Sequence, residues 1–447
     1  MRAPLCVRQP VEIVWVMTST PRDLAEPLTP PGHQPTFAAR GLLPRAVVAA
    51  TTAALATLVA LASTAPAFAA GVAAAAATKP TPATSATPSS APRTGQHDDA
   101  LQRQVNAIHD GGAVGVLAEV TTPAGSRRAR AGVADLTSGA PVPLDAKFRI
   151  GSTTKTFVAT VILQLVQEKR LSLDDTVARW LPGTVTGNGN DGSRITVRQL
   201  LQHTSGIYNY TDDLTQLTSA DGYRAARFRS YTPQQLVAMA MKHPPGFAPG
   251  SRMSYSNTNY ILAGMIIHRV AGQSWAHEVN ARIIRPLGLR HTFTPGAFPF
   301  LLGPHAEGYS TFGTSTPVDV TVFNPTAADA AGSMISTTDD LTRFYTALLG
   351  GRLLAPATLT AMKTTIPADS LAPGVRYGLG LGWLPLSCGG GYYGHPGDVP
   401  GFHIWDGINP DTHRTVVVAS TGDNGDQAQQ AVTTLVDQEL CHPTAAR

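Results

Sequence analysis

Gly151-Ser-Thr-Thr-Lys-Thr-Phe157 opens a run, residues 153 to 169, in which Val158, Val161, Ile162 and Leu165 recur at the spacing of one helix face. A helix over that run sets Ser152 and Lys155, three residues apart, on one side of its first turn. A serine hydroxyl is a poor nucleophile until a base takes its proton, and an amine desolvated under a helix can be neutral enough to do so. The helix N-terminus also favours negative charge developing there. Lys155 is therefore a candidate base for a nucleophilic Ser152. Six lysines in the chain make one Ser-x-x-Lys a chance event as well, so its surroundings decide.

Strand signals lie at the two ends of the region around this run. Residues 113–121 and 127–133 flank Pro123-Ala-Gly125, and residues 401–408 and 414–420 flank Asn409-Pro-Asp411, each pair reading as a hairpin. Between them the signals are helical. Thr196-Val-Arg-Gln199 and Thr232-Pro-Gln-Gln235 are capping boxes, Thr337 opens a helix ending near Gly350, and a last amphipathic helix spans about 427–440. The expected class is α+β: one antiparallel sheet built from both ends of the domain, flanking helices, and an inserted, mostly helical lobe. A cleft between the two parts is the natural place for chemistry.

Before the domain, Arg40 and Arg45 precede an apolar run from Ala46 to Ala62, and Ala67-Phe-Ala69 offers a small-x-small cleavage site. Residues 1–70 read as a signal-peptide region with an open start site, Met17 being one candidate; a membrane anchor is the alternative. Residues 71–97, rich in Ala, Thr, Pro and Ser, read as a flexible linker. The folded domain is expected over 98–442, with no membrane span after cleavage and a secreted destination. In that oxidising setting Cys388 and Cys441, the pair left once Cys6 goes with the leader, are expected to form a disulfide, with two free buried thiols as the alternative.

The chain has 447 residues, 43% hydrophobic and 14% charged, which suits a globular protein with a sizeable core. Its net charge of +4 falls to +2 without residues 1–70, and no basic stripe remains to track phosphates, which excludes nucleic acid. No Gly-x-Ser-x-Gly occurs, against an α/β-hydrolase. No His-Glu-x-x-His occurs, and His203, His243, His268, His277 and His291 are dispersed, against a zinc hydrolase and for ordinary surface or core histidines.

Two further elements follow Ser152 in order. Tyr255-Ser-Asn257 comes after the turn Phe247-Ala-Pro-Gly250 and puts a phenol and an amide within reach of a cleft. His395-Pro-Gly397 comes after Tyr392-Tyr-Gly394 on an expected strand, where a glycine lets substrate approach the backbone. Each has a bland reading alone, since His109-Asp-Gly111 repeats His-x-Gly with no such context.

Together the three motifs resemble those of the serine β-lactamase and penicillin-recognising family, specifically the branch of class C β-lactamases and secreted D-alanyl-D-alanine carboxypeptidases, peptidase family S12. Phe148-Arg-Ile-Gly-Ser152, Leu200-Leu-Gln-His-Thr-Ser-Gly-Ile207, Pro286-Leu-Gly-Leu289, Ala331-Gly-Ser-Met-Ile-Ser-Thr337 and Tyr377-Gly-Leu-Gly-Leu381 resemble its other landmarks. The resemblance implies a β-lactamase/transpeptidase-like fold and an acyl-enzyme at Ser152, with Lys155 and Tyr255 sharing the proton transfers and the formal base left open between them. It also implies that Asn257 orients the substrate amide, that His395 lines the strand side and biases the site electrostatically, and that the backbone N–H groups of Ser152 and Asp398 hold the oxyanion.

Departures bear on substrate. Pro396 stands where the carboxypeptidases usually carry a Thr that helps hold a terminal carboxylate, Asp398 adds negative charge there, and Gly382-Trp-Leu-Pro-Leu386 lacks an Arg that some of them have. The expectation is a secreted, monomeric serine hydrolase of the D-alanyl-D-alanine carboxypeptidase type, acting on a small peptide, β-lactam or ester with no metal or organic cofactor. A β-lactamase, an esterase or a D-amino-acid amidase of the same family is the alternative. A non-catalytic penicillin-binding or sensor protein is the alternative from another class.

Overall fold

Alternation along two distant hairpins builds the centre of the protein. The computed structural model describes residues 95–441; the expected leader, the linker up to residue 94 and residue 442 lie outside the described residues. The first hairpin joins β1 (Gly115–Thr122) to β2 (Gly125–Gly132). Five short strands follow after a long interval: β3 (Ile366–Pro367), β4 (Arg376–Tyr377), β5 (Gly382–Pro385), β6 (Gly391–Gly394) and β7 (Gly397–Val399). The second hairpin, β8 (Phe402–Asn409) and β9 (Arg414–Thr421), closes the series. All pair antiparallel in one nine-stranded sheet of order β2-β1-β9-β8-β6-β5-β4-β3, with β7 also on β8. β1 lies directly on β9, from Gly115 opposite Thr421 to Thr121 opposite Thr415, so the two ends of the domain meet in its middle as expected.

The period of two sorts the side chains between two cores. Val116, Ala118 and Val120 join Val416 and Val418 under helices α1 (Gly95–Asp110) and α5 (Asp426–Cys441). Leu117, Val417 and Ala419 face the opposite way, toward the helical lobe. Helix α1 carries only a narrow stripe, Leu101, Val105 and Ile108, and had no counterpart in the sequence reading. It also takes in residues 95–97, which that reading placed in the linker; the difference is within the latitude of a helix end.

The lobe is built on α2 (Thr154–Gln167) and α3 (Thr258–Ala271), with α4 (Thr338–Leu349) between it and the sheet. The run after Ser152 is helical as expected, but α2 is buried on almost every side rather than along one face. It is the central helix of the lobe, and even Lys155 and Thr156 are fully enclosed. Both capping boxes are present, the second with Pro233 in the first turn, and Thr337 caps α4 through the Asp340 N–H. A disulfide joins Cys388, in the loop between β5 and β6, to Cys441 at the end of α5.

Candidate active site

Gly151, at φ 49°, turns the chain from the short Phe148–Arg149 strand, paired with Ile335–Ser336, into a single 3₁₀ turn, Gly151–Thr153, that leads into α2. This turn puts Ser152 at the foot of the helix with Lys155 beneath it, Nζ 2.9 Å from Oγ. The amine has two other partners, Asn257 Oδ1 and the Ala331 carbonyl, each at 2.7 Å. Both are oxygens that only accept. A neutral amine satisfies them with its two N–H groups and aims its lone pair at the Ser152 hydroxyl. Complete burial pushes the Lys155 pKa well below the usual lysine range, which favours that neutral form.

Tyr255 and Asn257 arrive together at the start of α3. Asn257 is buried, its backbone N–H donating to Asn209 Oδ1 at 2.9 Å and its Nδ2 to Thr211 Oγ1 at 3.3 Å. The Tyr255 phenol interacts with Ser152, and its ring centroid is 4.8 Å from Lys155 Nζ. Burial drives this phenol well above its ordinary pKa, so it holds its proton while the amine gives its own up.

The third motif forms the opposite wall. His395 is enclosed, with Nδ1 2.8 Å from the Pro396 carbonyl and Nε2 2.8 Å from the Tyr377 hydroxyl. The carbonyl requires Nδ1 to donate, which leaves Nε2 to accept from the phenol. Burial lowers the ring's pKa to about 3. His395 is therefore neutral, and the expected electrostatic bias from it is corrected to a packing and hydrogen-bonding role: desolvation has removed its charge, and its ring stands 6.2 Å from that of Tyr255.

Gly397 also differs from its expected part in admitting substrate. A Cβ there would collide with the Ile150 carbonyl and come within 3.0 Å of the Ser152 nitrogen, while a Cβ on Gly151 would reach 2.6 Å from the Asp398 nitrogen. These two glycines press the nucleophile turn against β7. The Pro400-Gly401 turn closes on the Val399–Phe402 pair, with Asp398 opposite His403 as the next pair. Hydrogen-bonded and open pairs alternate in an antiparallel ladder, so the Asp398 N–H points away from β8, toward the Ser152 turn. Two backbone donors thus flank one place beside Ser152 Oγ. The Asp398 carboxylate pairs with His403, Oδ1 to Nδ1 at 2.5 Å.

Sequence reasoning missed what holds these groups. His203, passed over as an ordinary core histidine, is fully buried with its ring 4.2 Å from that of Tyr255. Its Nδ1 accepts from the Ser256 N–H and from Asn259 Nδ2, which fixes the Tyr255–Asn257 segment behind the phenol. The Ala331 carbonyl and the Tyr377 hydroxyl also belong to the site. All three lie inside landmark segments, and that was the available signal.

Beyond Asp398 lies an apolar hollow lined by Leu214, Leu217, Tyr223, Phe323, Val399 and Pro400, with Thr211 connecting it to Asn257.

Comparison with known proteins agrees with this geometry. The Beta-lactamase family model matches residues 98–440. A D-stereospecific amidohydrolase from Streptomyces sp. superposes with a TM-score of 0.72 at 40% identity, over 78% of this chain and 99% of that one. Penicillin-binding protein 4 of Amycolatopsis lactamdurans is 29% identical over 69% of this chain and 80% of its own length. Esterase EstB of Burkholderia gladioli is 30% identical over 60% of this chain and 78% of its own. With its fold, its Ser-x-x-Lys pair and a family match over the whole described domain, the chain belongs to the beta-lactamase family of serine hydrolases.

Proposed function

We propose that this protein is an acyl-enzyme amidase and esterase for derivatives of D-amino acids. The observation that carries this reading is the edge of the third motif. Pro396 offers neither hydroxyl nor N–H, and Asp398 sets a carboxylate beside the oxyanion position, so the edge disfavours the free C-terminal carboxylate of a carboxypeptidase substrate. The Streptomyces relative, named a D-stereospecific amidohydrolase, supports the same substrate class, and the hollow past Val399 suits an apolar side chain.

In the proposed reaction Lys155 Nζ takes the Ser152 proton and Oγ attacks the carbonyl carbon. The N–H groups of Ser152 and Asp398 receive the oxyanion; losing one such donor typically costs about 10²- to 10³-fold in rate. The Tyr255 phenol, kept protonated by burial, protonates the leaving amine or alkoxide and is reprotonated through Lys155. Asn257 holds the amine in place and presents its amide to the substrate. Water then releases the acyl group. An extracellular setting is part of the proposal, supported by the leader reading and the Cys388–Cys441 bridge.

The test sets wild type beside Ser152→Ala on D- and L-phenylalanine amide, an acyl-D-Ala-D-Ala peptide and a p-nitrophenyl ester. Hydrolysis of the D-amide and the ester, with Ser152→Ala inert, is expected. Release of D-Ala from the peptide without amidase activity would replace this reading with the carboxypeptidase one. A second reading, penicillin binding with slow turnover, is favoured by the Amycolatopsis relative's name; the decay rate of a fluorescent penicillin on Ser152 separates the two.

A further inference from the structure

Behind the third motif, on β8, lies a carboxyl that the mechanism above does not use. Asp406 is fully buried, and Oδ1 accepts the His395 N–H at 2.8 Å. Its Oδ2 is 2.9 Å from Thr153 Oγ1, the residue after the nucleophile, and that same hydroxyl is 2.8 Å from the His395 carbonyl. The Thr153 hydroxyl therefore stands between two oxygens and owns one hydrogen. The carbonyl can only accept, so the threonine proton goes to it, and the contact with Asp406 needs a proton from the carboxyl side.

We propose that Asp406 is a positioning residue acting in its protonated form: its carboxyl donates to Thr153, Thr153 donates to the His395 carbonyl, and this relay sets the distance between the Ser152 turn and the oxyanion edge at Asp398. The relay joins the two segments whose N–H groups flank the oxyanion position, and nothing in it touches substrate. Enclosure with no cationic partner among the described residues supports the proton's presence, since burial raises the carboxyl's pKa to about 7. The titratable groups around it are the phenols of Tyr345 on α4 and Tyr392 on β6, both kept protonated by burial, the neutral ring of His395, and the Lys155 amine two residues past Thr153. Ionisation of Asp406 turns the donor into a second acceptor, sets two oxygens against each other at Thr153, and loosens the edge.

Asp406→Asn is the decisive variant, because an amide reproduces the protonated acid: Oδ1 still accepts from His395 and Nδ2 donates to Thr153. Its activity on a p-nitrophenyl ester at pH 6 is expected within about threefold of wild type, while Asp406→Ala and Thr153→Val lose on the order of 10²-fold, the scale of a misplaced reacting group. Wild-type kcat is expected to fall as pH rises through about 7, and Asp406→Asn to lack that fall. Infrared difference spectra between wild type and Asp406→Asn read the proton without any turnover. They are expected to show the carbonyl stretch of a carboxylic acid at pH 6 that is gone at pH 9. A folded Asp406→Asn as slow as Asp406→Ala, an alkaline fall that survives in it, or no acid band at pH 6 overturns the proposal. The infrared arm stands whether or not the substrate reading holds.

Discussion

Asp398 and His403 face each other across the β7–β8 hairpin, and both ring nitrogens of His403 meet acceptors: Nδ1 the Asp398 carboxylate at 2.5 Å, Nε2 the Gly422 carbonyl at 2.9 Å. A ring between two acceptors carries two protons, so the pair is carboxylate and imidazolium, and Asp398 raises the histidine's pKa. Asp398→Asn is expected to shift selectivity by about tenfold toward substrates with a free carboxylate near the scissile bond, roughly the 1.4 kcal/mol of one weakened charge contact. The kcat/KM ratio of a carboxylate-bearing peptide to its amide checks this; an unchanged ratio removes Asp398 from substrate selection.

The same pair makes stability depend on pH. A histidine whose pKa is raised on folding contributes its full stability below its ordinary value of 6.5 and loses it as pH climbs through the raised one. His403→Gln is expected to lower Tm at pH 6 by the equivalent of about 1 kcal/mol, the scale of a partly exposed ion pair, and to cost less at pH 9. Thermal melts of both proteins at the two pH values decide the sign.

Asp406 follows the same direction for another reason. Its carboxyl rises from 3.8 to about 7 on burial, so the folded state loses stability relative to the unfolded chain as pH climbs between those values. Asp406→Asn carries no such penalty. Its Tm is expected to gain on wild type from pH 4 to pH 7 and to hold a constant lead above that.

In the proposed mechanism Lys155→Ala removes the base, and it is expected to reduce kcat on the order of 10²- to 10⁴-fold with Ser152 intact. Wild-type kcat/KM is expected to fall on the acid side as the amine gains a proton, and that fall should vanish in the residual activity of the variant. A pH-rate profile of the ester reaction reads both.

Gly397→Ala tests the contact between the nucleophile turn and β7. Its Cβ meets the Ile150 carbonyl, a backbone atom that cannot rotate away. A loss of about 1–3 kcal/mol of stability is expected from such overpacking, with a disproportionate loss of kcat because the two N–H groups proposed to hold the oxyanion separate. Chemical denaturation beside ester kinetics checks it. Cys388→Ser is the contrasting case: the bridge lies at the far end of β6 from His395, so about 2–4 kcal/mol of stability is expected to go with little change in kcat.

Much of this was legible in the sequence because it is local or ordered along the chain. The Ser152–Lys155 spacing needs only a helix, the two hairpins need only alternation and a turn, and the capping boxes are four-residue patterns. What could not be read depends on contacts between distant segments. Nothing in His395-Pro-Gly397 says that the histidine loses its charge, because that follows from its burial against segments distant in sequence. Gly397 looked like room for substrate and proved to be room for Ile150. Asp406 sits in a strand pattern as an odd polar residue, and its partner Thr153 is 253 positions away. Helix α1 escaped because a stripe of three apolar residues in 16 is faint until the sheet beneath it is known.

The pairing of β1 with β9 has a consequence for how the molecule comes into being. During synthesis the first hairpin emerges about 300 residues before the strand it rests on, and Ser152 exists long before the β7 edge its turn packs against. Closing so long a loop is entropically slow, and the reward arrives only when β9 docks. A ribosome-bound or C-terminally clipped chain therefore carries the nucleophile and its amine but no working centre, and competence for chemistry appears all at once with the last hairpin.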